Sequence, residues 1–182
     1  MASKMAEADQ GSLIIVINII YVSLCCLQFC YNSVYILIAE CEEGWEPYSD
    51  KCFKMFNEKK SWPDAEAACK ESSAHLAKIE SQGENEFLLN TFLQIPHDEV
   101  NREAWIGLTD VKKEGTFVWA DGTDAMYTNW ADEQPNNEDG EQHCGEIANG
   151  VFWPGGESQV GVWNDFQCEN ELMYICKKNA LS

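Results

Sequence analysis

Trp105-Ile106-Gly107-Leu108, then Gln134-Pro135-Asn136, then Trp163-Asn164-Asp165 with Cys168 and Cys176 behind it, is the series on which the fold turns. Around these residues the chain breaks into short aromatic and β-branched runs, Ala104 to Leu108, Thr116 to Ala120 and Gly161 to Trp163, separated by Gly, Asp and Asn. Runs of this kind read as strands bounded by turns. Helices come earlier. Ser61-Trp62-Pro63-Asp64 predicts a helix to about Ser72, because Ser61 can cap it, Pro63 suits its first turn, and Asp64 and Glu66 favour its positive end. Ser81 with Glu84 is a Ser-x-x-Glu capping-box signature, and Phe87, Leu88, Thr91 and Phe92 follow at helical spacing. Further upstream, Cys41 to Phe56 reads as a hairpin turning at Tyr48-Ser49-Asp50, which Cys41 and Cys52 could clamp. Two helices ahead of short strands make an α+β order.

Composition narrows the function. A chain of 182 residues holds one compact domain and a short extra segment. A net charge of -19 with 12 Lys plus Arg argues against nucleic acid, whose binders carry basic patches. Acidic surface suits divalent cations, although most of these carboxylates read as a solvated face. Of the nine cysteines, Cys25, Cys26 and Cys30 lie in an apolar segment, and Cys41, Cys52, Cys69, Cys144, Cys168 and Cys176 lie in the polar remainder. Six spaced cysteines in an exported chain read as three disulfides, with about 15 pairings allowed by spacing alone. Zinc is the weaker reading of these cysteines, since no Cys-x-x-Cys occurs and the histidines are His75, His97 and His143.

Leu13 to Ala39 is almost wholly apolar, broken by Asn18, Ser23, Gln28, Asn32 and Ser33, and it predicts entry into a translocon or membrane. Its length allows a span of about 20 residues as well as a signal peptide. Only Glu40 separates Ala39 from Cys41, which leaves no stalk to lift a folded domain off a membrane. Residues 1–39 are therefore expected to be a signal peptide cleaved near Ala39, with an uncleaved anchor and a type II membrane protein as the alternative. Residues 40–182 are expected to be one secreted domain.

The loop Asp132 to Gln142 places Asp132, Glu133, Glu138, Asp139 and Glu141 among Gln134, Asn136, Asn137 and Pro135. Calcium takes six to eight oxygens from carboxylates, amide carbonyls, backbone carbonyls and water, and loops let such groups converge. A hydrated acidic loop is the alternative. Asn164-Asp165, close before Cys168, favours calcium.

In order, and with six cysteines at fitting intervals, these motifs resemble the C-type lectin family from Cys41 to Lys178. The resemblance implies a C-type lectin-like fold of two helices, small antiparallel sheets, a long calcium-binding loop region and three disulfides. It implies Cys69 joined to Cys176, Cys144 to Cys168, and Cys41 to Cys52 in the N-terminal hairpin of the longer form. It also implies Ca2+ as the cofactor. The sugar-binding ion would be held by Gln134, Asn136, Glu141, Asn164 and Asp165, with a cis bond before Pro135 turning the flanking side chains toward one ion. An auxiliary ion would use Asp110 and Glu114, with Asn137 and Glu141 available to complete it.

The chain departs from the family pattern in two places. The family's glutamate lies two residues before the cysteine equivalent to Cys144, where Gln142 stands here. Either Glu141 coordinates beside an inserted His143, or Gln142 brings a neutral ligand; Glu141 is the expected one. Gln134-Pro135-Asn136 is also a hybrid of the mannose-type Glu/Asn and galactose-type Gln/Asp pairs. Two sugar hydroxyls would replace water on the ion while hydrogen-bonding to its ligands, so exchanging acid for amide reverses bond polarity. Amides at both positions select neither sugar class.

The expected partner is carbohydrate or the glycans of glycoproteins, bound at Gln134, Asn136, Glu141, Asn164 and Asp165. Trp153 is a candidate for stacking on a sugar face. Trp45, Trp62, Trp105, Trp119, Trp130 and Trp163 read as core or loop anchors, and His143 reads as an ordinary exposed side chain beside the loop. Single lectin sites are weak, so a homo-oligomer would add avidity, but no heptad or collagen repeat assembles one. Catalysis is not expected, since no nucleophile-elbow, Walker or zinc-protease signature occurs. The rival reading is a member of the same fold that binds protein, ice or mineral.

Overall fold

Ser61 caps the first helix, α1 (Trp62–Glu71): its hydroxyl accepts from the Asp64 backbone N–H at 3.4 Å, and the proline falls within the first turn. Ser81 likewise caps α2 (Gln82–Phe92), accepting from the Glu84 N–H at 3.2 Å. The expected capping box closes one residue early, because Glu84 Oε2 accepts from the Glu80 N–H at 2.7 Å. Its other oxygen is held by the buried Lys177 ammonium at 2.8 Å, which ties α2 to the last strand.

The computed structural model describes residues 19–21, 34–36, 40–94, 101–151 and 158–181. The chain divides into the units Met1–Ile38 and Ala39–Ser182. In the first, β1 (Ile19–Tyr21) pairs antiparallel with β2 (Val34–Ile36). The rest of the Leu13-to-Ala39 segment lies outside the described residues. Among the described residues no helix is long and apolar enough to cross a membrane.

In the second unit β3 (Glu46–Tyr48) and β4 (Lys51–Lys60) form the expected hairpin around Ser49-Asp50. They begin a sheet that continues through β10 (Leu172–Asn179), β6 (Asn101–Thr109), β8 (Gln142–Val151) and β9 (Ser158–Gln167). Two short strands, β5 (His75–Leu76) and β7 (Val118–Trp119), pair with β10 and β6. All these pairings are antiparallel except β10 with β6. The run expected as a strand over Thr116 to Ala120 shortens to β7 because Asp121 and Gly122 turn the chain there.

Trp105-Ile106-Gly107-Leu108 sits at the centre of this sheet, in β6. Its side chains feed two clusters, Trp105 one and Ile106 with Leu108 the other, as period-2 alternation requires. Gly107 is glycine because the end of β5 lies against it: a Cβ would lie 2.7 Å from the Leu76 carbonyl oxygen. The indole N–H of Trp62 and that of Trp105 reach the Ile106 and Lys60 carbonyls at 2.8 and 2.9 Å, so the buried Trp105 and the half-buried Trp62 both keep their polar bond. Among the described residues three disulfides form, Cys41–Cys52, Cys69–Cys176 and Cys144–Cys168, the pairing that the resemblance implied.

Candidate functional site

Trp163 roots the candidate site. Its backbone N–H donates to the Asn129 carbonyl and its carbonyl accepts from the Ala131 N–H, both at 2.8 Å, so the start of the acidic loop is stitched to β9. Its ring is fully buried against Trp119, Tyr127 and Trp130, and its indole N–H donates to Asn85 Oδ1 at 2.7 Å. The next two residues of β9, Asn164 and Asp165, therefore stand on a fixed base beneath the loop.

Asp165 is fully buried, and both its oxygens hold that loop: Oδ1 accepts from the Asn136 N–H at 3.0 Å and Oδ2 from the Asn137 N–H at 2.7 Å. The Gln134–Pro135 bond between them and Glu133 is cis. Gln134 Oε1 is buried and has no hydrogen-bond partner, an acceptor stripped of water with nothing to offset the cost. Asn136 Oδ1 accepts from the Glu138 N–H at 3.0 Å. Asn136 and Asp165 thus belong to one hydrogen-bonded assembly of loop and strand, with Asn164 next to Asp165 in β9 and Gln134 at the cis bond two residues before Asn136.

Glu141 stands apart from that assembly. Its exposed carboxylate accepts from Gln167 Nε2 at 3.3 Å. The side chain that turns into the loop is Gln142, which is buried; its Oε1 accepts from the Glu138 N–H at 3.0 Å, and its backbone N–H donates to Asn137 Oδ1 at 2.9 Å. The pairing of β8 with β9 is irregular between Gln142 and Cys144, where two residues of β8 advance against one of β9, and just before this irregularity the amide lies inside and the acid outside. Trp153 lies outside the described residues.

The auxiliary residues converge differently from expectation. Asp110 is buried at the end of β6, and its Oδ2 accepts from the Gly115 N–H at 2.7 Å. Its Oδ1 lies 3.0 Å from His143 Nδ1, and Glu114 Oε2 lies 3.3 Å from the same nitrogen. His143 is therefore not an ordinary surface side chain. Asn137, expected beside these carboxylates, spends its carbonyl oxygen on Gln142.

One further residue was not picked out from the sequence. Glu146 is fully buried opposite Asn164, whose amide donates to its Oε1 at 2.8 Å, while its Oε2 has no partner. Its position two residues after Cys144 in a strand puts it on the same face, which is the available signal. Burial, then the nearby Glu103 carboxylate, push its pKa up to about 8, against the Asn164 bond that favours the charge. The sign follows from proton counts. Between the ordinary glutamate range and about 8 the folded chain holds a proton that the unfolded chain has lost, so stability falls as pH rises through that window. In chelator, the melting temperature is expected to drop from pH 5 to pH 8, roughly the window set by those two values. Glu146→Gln, which keeps the acceptor for Asn164, should flatten that drop; an unchanged slope would mean that Glu146 is not its source.

The family model for the lectin C-type domain matches residues 58–178. The chain belongs to the C-type lectin family. Domains of the C-type lectin family are generally non-enzymatic. The chain is 38% identical over 140 residues to human C-type mannose receptor 2, covering 76% of this chain and 8% of that receptor. The chain thus spans a small fraction of that relative's length. Among solved structures, the mouse scavenger receptor C-type lectin carbohydrate-recognition domain is 31% identical, with a TM-score of 0.64 over 78% of this chain and 98% of that one. A calcium-independent type II antifreeze protein is 27% identical, also at a TM-score of 0.64, over 78% and 95% of the two chains. The same C-type lectin fold therefore carries both kinds of binding.

Proposed function

We propose that this chain binds carbohydrate through a calcium ion held by Gln134, Asn136, Asn164 and Asp165. The observation that carries the proposal is Gln134 Oε1, a buried carbonyl oxygen without a partner beside the loop that Asp165 holds. A hard cation takes such oxygens and would offset their desolvation. Calcium, when bound, would supply coordination positions for two neighbouring sugar hydroxyls. The residues do the rest: the amides of Gln134, Asn136 and Asn164 can donate to hydroxyl oxygens through nitrogen and bind the ion through oxygen. Asp165 fixes the loop and brings the set's one carboxylate.

With so little ligand charge, calcium should bind in the weak extracellular range of roughly 10⁻⁴ to 10⁻³ M. Gln134→Glu adds a carboxylate and replaces a donor by an acceptor, so calcium affinity and preference for mannose over galactose should rise together. Calorimetry with calcium and retention on immobilised monosaccharides, with and without chelator, test this. Retention that ignores both chelator and competing sugar would overturn the carbohydrate reading in favour of a protein, ice or mineral ligand.

A further inference from the structure

We infer that Asp110, Glu114 and His143 form a second metal site that takes a zinc-class divalent ion in preference to calcium. One ligand atom from each lies within 4.8 Å of the others. The spacing is tighter still at the nitrogen, with Asp110 Oδ1 at 3.0 Å and Glu114 Oε2 at 3.3 Å. Ligands of a tetrahedral ion at metal–ligand distances of about 2.0–2.1 Å stand roughly 3.3 Å apart. Both carboxylate oxygens are thus already close to their coordinated separation from the ring nitrogen.

The choice of metal follows from the donor set. Calcium and magnesium take oxygen ligands, whereas imidazole suits zinc, copper, iron and nickel. Two carboxylates and one imidazole, with a position left for water, make a three-ligand zinc set. Nor can the ring nitrogen serve both neighbours: Nδ1 carries at most one proton and faces two carboxylate oxygens, so it can donate fully to only one of them. A dication bound by the ring lone pair and both acids removes that conflict.

The frame is built before any ion arrives. The His143 carbonyl accepts from the Asp110 N–H at 3.1 Å and from the Thr109 hydroxyl at 2.8 Å, which locks the start of β8 to the end of β6. Asp110 is 2% exposed, and its second oxygen is held by the Gly115 N–H, which closes the loop that presents Glu114. A ligand oriented in this way by backbone bonds loses little freedom on binding. The site shares no ligand with the proposed sugar site, so the variants that test one leave the other intact.

The test is a titration of the full chain, disulfides formed, with zinc and with calcium, read by calorimetry and by the ring signals of His143 in NMR. Zinc is expected to bind more tightly than calcium and to shift the His143 ring, a signal that separates this site from any thiol of Cys25, Cys26 or Cys30. His143→Ala should weaken this zinc binding by roughly 100-fold or more, since even outer-shell partners are worth 10–100-fold. His143→Asp, an all-oxygen set, should reverse the order of the two metals. A His143 ring that zinc leaves unmoved, zinc affinity unchanged in His143→Ala, or calcium displacing zinc at equal concentration would each overturn the site. The ring measurement needs no variant, so it decides even if a substituted chain fails to fold.

Discussion

Trp163→Ala is expected to cost about 3–5 kcal/mol, the range for removing a large buried aromatic. The ring is fully buried and meets Trp119, Tyr127 and Trp130 at centroid distances of 5.7, 5.6 and 6.0 Å. Its loss leaves a cavity, and it also strands Asn85 Oδ1, a buried acceptor whose donor is the indole N–H at 2.7 Å. Trp163→Phe separates the two effects: it keeps an aromatic ring and removes that bond, so about 1–3 kcal/mol should be lost. Denaturant unfolding of the three proteins measures both. Against a typical domain stability of about 5–15 kcal/mol, the alanine variant should sit near the edge of folding. A loss below that of Trp163→Phe would show that the aromatic cluster does not depend on this ring. Because the backbone of Trp163 stitches the loop to β9, the alanine variant should also loosen the loop that Asp165 holds.

The elements that could be read from the chain are those whose signals are local. Ser61 and Ser81 announce helix starts because a hydroxyl before a polar first turn has one obvious backbone partner. The Tyr48-Ser49-Asp50 turn and the aromatic and β-branched run from Ala104 to Leu108 are local in the same sense. What was not legible depends on register across strands. His143 lies in sequence beside an acidic loop and reads as exposed; only the pairing of β6 with β8 brings Asp110 to it. That Gln142 is buried and Glu141 exposed was illegible for the same reason, since one residue of slip decides which side chain faces inward. Glu146 combines both effects, a strand-parity position and an opposite neighbour, Asn164, that no single stretch of sequence pairs with it.

Asp165→Asn is expected to abolish calcium-dependent sugar binding while leaving a folded chain. The substitution is nearly isosteric, so the packing beneath the loop should survive. Its chemistry is different: the carboxylate accepts from two backbone N–H groups, at 3.0 and 2.7 Å, and an amide has one oxygen to offer. The second N–H then faces an NH2 group, donor against donor. Hydrogen bonds to charged groups are worth about 1.5–3 kcal/mol, so the loss of one should be visible in unfolding without being fatal. At the site the effect should be larger, because the proposed ligand set falls from one carboxylate to none and the ion's charge is no longer met. Calcium binding should drop below detection by calorimetry, and retention on immobilised sugar should vanish. Glu141→Gln is the matched control. Its carboxylate is exposed and faces Gln167, so neutralising it should leave calcium and sugar binding close to those of the parent chain. The reverse pattern, with Asp165→Asn binding sugar through calcium and Glu141→Gln failing to, would move the ion out to Glu141 and overturn the assignment of Asp165 as its anchor.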